Sequence, residues 1–577
     1  MYDLIIRGGT IVDGTGKAAF QADIAVQSGR IAEVGAVDGP AQEVIDATGR
    51  IVTPGFVDVH THYDGQATWD QQLAPSCWHG VTTVVVGNCG VGFAPVRPGG
   101  EQALIELMEG VEDIPGTVLA EGITWGWESF PEYLDVLGQR RWMIDVGTHV
   151  PHAAVRAYVM GGRANDDRVT EDDLKRMRRI VRDGIEAGAL GVSTSRILAH
   201  RTSTGEIVPG TFANREELAA LAGVLKELGT GVFEVVPRGM DGEATEEAHA
   251  EIDWMGEVAA ATGRPVVFSV VQTHTELDRW REMLDRSGKL RETGVPLYPQ
   301  VANRPTGVLF GLESPNHPFS TRPSYQPIAK LPLKEKVERL RDPAVRAAIL
   351  AEANGEYDHP LSSFVYTGFG NMLPVAEPIN FEPRPEDTIL GLAQRAGVTP
   401  EDYAYDFLSA DGGRNLLMFP FTNYFRFNLD DVHAMLTHPA SVYGLGDGGA
   451  HCGIACDASG QTLMLSYWVR DRVSGPRIPI EQAVKTMTSD NADLYGLCDR
   501  GRIAVGYRAD INVIDFDRLR LELPEMVYDL PAGGRRVMQR ATGYDAVIVG
   551  GEVTIRSDTA TGALPGRLIR GAQPAPG

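Results

Sequence analysis

Cysteine is scarce in this chain, with five in 577 residues. That is too few to staple a protein of this length, so a disulfide framework is excluded and a reducing compartment is expected. Each cysteine is then a packing residue, a ligand or a reactive thiol. No run of about 18 apolar residues occurs, so no membrane-spanning helix is expected. The first residues, MYDLIIRGGTIVDG, have no basic stretch followed by an apolar one, so no signal peptide is expected and the expected location is cytoplasmic. Positive charge is also in short supply: 53 Lys and Arg stand against 77 Asp and Glu, a formal net charge of -24. Such a surface repels nucleic acid and anionic membranes, and neither is expected as a partner. The acidic surplus serves solubility first.

What is present is an ordinary globular composition, 43% hydrophobic and 23% charged, on a chain long enough for one large domain plus a smaller one. Residues 1–54 read as short strands broken by Gly and Asp turns, and the same texture returns over 500–577. The two ends either pair into one β-domain or form two. Between them, over 55–499, apolar segments at 82–86, 144–146, 190–192, 231–236, 265–271 and 442–445 alternate with helical patterns at 171–187, 215–228 and 246–261. Repeated βα units imply a parallel sheet or barrel, with chemistry at the C-terminal strand ends. Residues from about 280 to 365, rich in Pro, Arg and Lys, read as an insertion over the mouth with one helix near 333–340. The last dozen residues read as a loose tail.

Three short motifs carry chemistry. In Gly55-Phe56-Val57-Asp58-Val59-His60-Thr61-His62, residues two apart on a strand share a face, so His60 and His62 project together as a metal requires. A bare pair of this kind is often incidental; here it ends an apolar strand, follows Pro54-Gly55 and precedes Tyr63-Asp64. Cys89, in Gly87-Asn88-Cys89-Gly90, leaves the strand 82–86 among glycines and is either a ligand or a small buried residue. Asp447, in Gly444-Leu445-Gly446-Asp447-Gly448-Gly449, is a carboxylate at a strand end, suited to bind metal and shuttle a proton, or else a turn aspartate. His451 is a candidate oxyanion or substrate contact. Cys452 and Cys456 have no second pair, so a structural zinc is not expected.

These motifs, in this order, resemble the amidohydrolase superfamily, and within it the D-aminoacylase branch of N-acyl-D-amino-acid deacylases. The segments YDLIIRGGTIVDGTG, GFVDVHTHYD, HGVTTVVVGNCGVGFAP and GRIAVGYRADINVID carry the likeness. The resemblance implies an α/β fold: a TIM-like (β/α)8 barrel with a small β-sandwich built by the N- and C-terminal segments. It implies a divalent metal, zinc or a similar ion, one or two per site, with His60, His62 and Cys89 as ligands. Asp447 becomes both a ligand and the catalytic aspartate. The implied activity is hydrolysis of a non-peptide C–N bond in a small-molecule amide, with an N-acyl-D-amino acid as the first reading. Alternatives are a cyclic amide, N-formyl or N-carbamoyl hydrolase, or a non-catalytic binding relative. A homo-oligomer is left open. The chain departs from the branch on two middle strands, 231–236 and 265–272, which lack the usual metal histidines and the Ser-His-x-Lys pattern. Glu234 and His274 are the candidate replacements. Tyr298, in Leu297-Tyr298-Pro299, and Arg304 are candidate substrate contacts, as are Arg196 and His200.

Overall fold

A computed structural model describes residues 1–240, 242–243, 247–355 and 362–576. Eight parallel strands form the central sheet in chain order: β1 (Phe56–Asp58), β2 (Val81–Val86), β3 (Asp145–Pro151), β4 (Gly191–Ser195), β5 (Val232–Val236), β6 (Val266–Ser269), β7 (Leu297–Val301) and β8 (Val442–Tyr443). They read as near-continuous apolar, β-branched runs because both faces are covered; every residue of β2 is buried. The sheet curls shut beyond the ends of β1 and β8. There Thr61 bridges Gly448 in parallel, His62 N donates to Gly448 O at 2.7 Å, and Asp447 N donates to His60 O at 3.0 Å. The closing seam of the barrel is therefore made by the residues singled out for chemistry.

Helices cover the outside, and their boundaries follow from capping. Thr170 and Asp173 form a reciprocal capping box at the start of Glu171–Ala187, and Gly188, left-handed at φ 117°, ends it. The helix expected over 246–261 appears as Ala248–Thr262; residue 246 lies outside the described residues.

The two ends of the chain pair in one nine-stranded sheet. Ile51–Pro54 runs antiparallel to Ile511–Ile514, with Val52 opposite Val513. Leu4, Ile6, Ile24, Val26, Ile511 and Ile548 share the core beneath it. No helix among the described residues is long and apolar enough to cross a membrane.

Two expectations need correction. The barrel continues through residues expected to begin the insertion: Arg279–Glu292 is a barrel helix and β7 follows it. Its Arg and Lys content marks one exposed helical face, while Trp280, Met283 and Leu284 are buried. The excursion over the C-terminal end of the barrel comes after β7. It carries a three-stranded antiparallel sheet, Gly307–Phe310, Leu416–Pro420 and Leu373–Val375, and a core containing Phe310, Phe319, Tyr325, Leu408 and Phe419. Residues 356–361 of the expected insertion lie outside the described residues. The C-terminal segment is not loose. Gly566 N donates to Trp142 O at 2.7 Å, Ile569 N to Val146 O and Gln573 N to Gly496 O, each at 2.8 Å. Ile569 packs with Val57, Val85, Val232 and Val267 in the barrel floor, so backbone pairing and apolar burial hold a segment whose Gly and Pro content suggested a tail.

Candidate metal centre

The end of β1 delivers His60 and His62, and the turn after β2 delivers Cys89, all buried, with one ligand atom from each within 4.8 Å of the others. Cys89 Sγ lies 3.4 Å from His60 Nε2 and 3.8 Å from His62 Nε2. Asp447 closes the group from β8: its Oδ1 is 3.5 Å from His60 Nε2 and 3.9 Å from His62 Nε2. The glycines around Cys89 have a steric reason. Gly87 is left-handed, and a Cβ there would fall 2.6 Å from His149 O. Cys89, Asp447 and His451 are themselves non-glycine residues with φ of 55°, 46° and 45°. Left-handed backbone at three such residues around one centre is strain held by the surrounding structure.

Both histidines turn Nε2 inward; behind them the other nitrogen of His60 is hydrogen-bonded, while that of His62 has an acid nearby but no aligned partner. His60 Nδ1–H donates to Gln300 Oε1 at 2.8 Å, and His62 Nδ1 lies 3.3 Å from Glu112 Oε1. That leaves Nε2 unprotonated on His60, the state a metal requires. Glu234, from β5, reaches the same point and accepts from Cys89 N at 3.0 Å through Oε2, leaving Oε1 buried and unpartnered. Asp64 is buried beside them, with Oδ2 likewise unpartnered.

The electrostatics ask for a cation. Burial pushes the Glu234 carboxyl up to about 8 and Asp64 up to about 7. It lifts Glu112 and Asp447 well above the carboxylate range, with further upward contributions from neighbouring acids. Burial and these same four carboxylates raise the Cys89 thiol. Burial lowers His60 to about 4 and keeps the pair neutral. Among the described residues, no Lys or Arg forms an ion pair with Glu112, Glu234, Asp64 or Asp447. Two imidazoles, a thiol and carboxylates converging at one largely buried point are a donor set that fits a zinc-like divalent ion, whose charge would favour the ionised forms.

The other expected residues scatter. Glu234 joins the centre. His274 does not: it is exposed past the end of β6, its ring 6.1 Å from that of Phe425. Tyr298 points into the barrel floor, under the Arg291 guanidinium at 4.4 Å, because it enters β7 one pleat below the site. Gln300, two residues on and on the same face, is the β7 residue that reaches His60. Arg304 is tied to Asp457 at 3.0 Å and Ser459 Oγ at 2.6 Å, at one side of an apolar groove lined by Leu373, Val375, Ile379, Phe381 and Met418. Arg196 faces away from the centre to pair with Glu251 at 2.9 Å. His200 Nδ1 contacts Ser195 Oγ at 2.8 Å, and His451 stands partly exposed with Nε2 3.9 Å from Glu112 Oε2. Cys452 and Cys456 contact Asp113 O and Gln539 separately and form no metal pair.

Glu112, Gln300 and Asp64 escaped the motif reading, though each left a trace. Asp64 follows the His60/His62 motif, and Gln300 is in phase with Tyr298. Glu112 falls on the apolar stripe of its helix, four residues after Met108, where an acid is out of place.

Comparison with known proteins agrees with this geometry. The N-acyl-D-glutamate deacylase of Alcaligenes xylosoxydans xylosoxydans is 26% identical over 584 residues, 98% of this chain and 96% of that one. The D-aminoacylase of the same organism is 33% identical over 210 residues, 36% of this chain and 41% of its own. Among solved structures, the N-acyl-D-glutamate deacylase of Bordetella bronchiseptica, complexed with zinc and a phosphonate mimic of the tetrahedral intermediate, superposes with a TM-score of 0.64 at 25% identity, covering 99% of each chain. The model of the Amidohydrolase family matches residues 43–555. This chain belongs to the amidohydrolase family.

Proposed function

We propose that this chain is a metal-dependent deacylase of a small amide, with an N-acyl-D-amino acid as the first substrate class, and that His60, His62, Cys89 and Asp447 hold its ion. The observation that carries the reading is the convergence of these donors at the C-terminal end of a closed barrel, where such folds place their chemistry. The relatives' substrates and the zinc of the deacylase structure support the substrate class and the metal. A bound divalent cation supplies a Lewis acid and lowers the pKa of a water it holds to about 7.

The chain's own residues do the rest. His60 and His62, braced by Gln300 and Glu112, present neutral Nε2 atoms. Cys89 donates as thiolate, giving more charge than imidazole and tempering the Lewis acidity. Asp447, the partly exposed member of the group, takes the proton of the attacking water and returns it to the leaving nitrogen. Glu234 stands on β5 where the branch supplies a histidine, and its free Oε1 is the donor available to a second ion.

Metal analysis of the purified protein, paired with hydrolysis of a panel of N-acyl-D-, N-acyl-L- and cyclic amides, tests this. Stoichiometric metal with turnover of N-acyl-D-amino acids supports it. Full metal with turnover of cyclic amides alone would replace the substrate class, and a protein that takes up no metal would end the reading.

A further inference from the structure

Glu112 ends the helix Glu101–Glu112 and stands between two histidine-bearing loops. Its Oε1 lies 3.3 Å from His62 Nδ1 and its Oε2 3.9 Å from His451 Nε2. Its backbone carbonyl accepts from His451 N at 2.5 Å, and the next carbonyl, of Asp113, accepts from Cys452 Sγ at 3.8 Å. The position is poor for a carboxylate by itself. It is 2% exposed. It sits at a helix C-terminus, where the backbone dipole favours cations. Oε1 has no aligned hydrogen-bond donor, and the nearby His62 Nδ1 is likewise unpartnered. A buried charge kept under such conditions needs a compensating one.

His62 supplies the route. Its Nε2 faces Cys89 and Asp447, so Nδ1 is the ring nitrogen directed at Glu112. A ligating histidine commonly gives its second N–H to a carboxylate, which fixes the tautomer and ring orientation and makes the ligand more basic. We propose that Glu112 is the positioning residue of this centre. It accepts the Nδ1–H of His62, holds Nε2 toward the ion, and through His451 anchors the loop after Asp447 to the same point. His60 receives the neutral equivalent from Gln300, so the two histidines are braced by unlike groups, and the charged brace serves His62. This rests on the metal-centre reading above.

The experiment compares wild type, Glu112→Gln and Glu112→Ala by chelator competition with zinc, and by the visible spectrum of the cobalt-loaded proteins. The melting temperature of each metal-free form is measured alongside. Glu112→Ala should weaken zinc binding by about 10–100-fold. Glu112→Gln, whose amide oxygen still accepts the N–H, should lose less. Metal-free melting should be unchanged or raised in both, since a buried uncompensated acid has been removed. A purely structural Glu112 would do the reverse, lowering metal-free melting and leaving zinc affinity intact; either that result or wild-type affinity in both variants overturns the proposal. Should the alanine variant fail to fold, the isosteric glutamine variant decides. A wild type that binds no zinc sinks the metal-centre reading instead, which is a separate result.

Discussion

Asp145 and Asp447 sit at opposite ends of the barrel, and their surroundings differ in kind. Asp145, at the start of β3, meets Arg500 at 2.7 Å and Arg508 at 3.1 Å and also accepts from Arg567 N at 2.9 Å. Asp447, at the exit of β8, faces neutral histidines and lies near the buried acids Glu112 and Glu234 of the candidate metal centre. One end has its charges balanced by side chains and its floor filled by Ile569; the other gathers carboxylates that its own side chains leave unbalanced. An end that is electrostatically complete reads as stability. An end that is incomplete reads as a place for a ligand, and in a barrel it falls where function is expected.

The contrast can be broken from either end. The largest effect should come from replacing His60 and His62 together with Ala. Metal binding and hydrolysis should both vanish while the circular dichroism spectrum keeps its native form, and a double variant with unchanged metal content would return the acidic end to the status of packing.

Next is Asp447→Asn, which keeps a coordinating oxygen but cannot accept a proton. Its turnover should fall about 10²–10⁴-fold with most metal retained. Wild-type turnover in this variant would mean that the proton moves through another group.

At the opposite end, Asp145→Ala removes one of the two buried acids that Arg500 and Arg508 share and leaves them Asp510, with Asp499 still on Arg500. Breaking a buried pair outright costs about 3–5 kcal/mol, and the acids that remain set this as the upper bound. Denaturant melts of the metal-free protein should show that loss with metal uptake unaltered; a fall in metal affinity instead would mean that the two ends are coupled.

The smallest and most selective test pairs Cys89→Ser with Cys498→Ser. Cys498 is free and only partly buried, far from the centre in the chain and held at its backbone by Gln573 O. Cys89→Ser should reduce metal occupancy clearly and Cys498→Ser should not. Equal occupancies would make Cys89 a packing residue.

Much of this contrast was legible in the chain. Runs such as Val81–Val86, β-branched throughout, announce fully buried strands; the hydroxyls of Thr82 and Thr83 find their partners within the protein. The Gly-Asn-Cys-Gly turn announces a backbone that only glycine adopts readily on either side of the cysteine. The pair His60/His62 and the Asp-Gly-Gly after β8 stand out as candidates because their donor atoms lie within a few residues of a strand end. The excursion over the mouth was placed too early because a charged amphipathic helix and an insertion share a composition over 279–292; only the pairing of Leu297–Val301 with β6 separates them. Tyr298 is singled out by the family resemblance of Leu297-Tyr298-Pro299; strand alternation puts Gln300 on the same face but does not show how deep each residue lies.

By itself, then, the sequence determined the βα rhythm, the β-rich ends, and the candidate donors His60, His62, Cys89 and Asp447, since these depend on periodicity and on glycine placement within a few residues. The tertiary structure decided which distant groups complete the centre. Glu112 from an outer helix and Gln300 from β7 meet the histidines across sequence separations that no local pattern encodes, and of the two candidate replacements barrel closure brings Glu234 to the same point and leaves His274 outside. It also decided that Gly566–Gln573 plugs the floor, through backbone pairing and burial of one isoleucine that composition could not reveal.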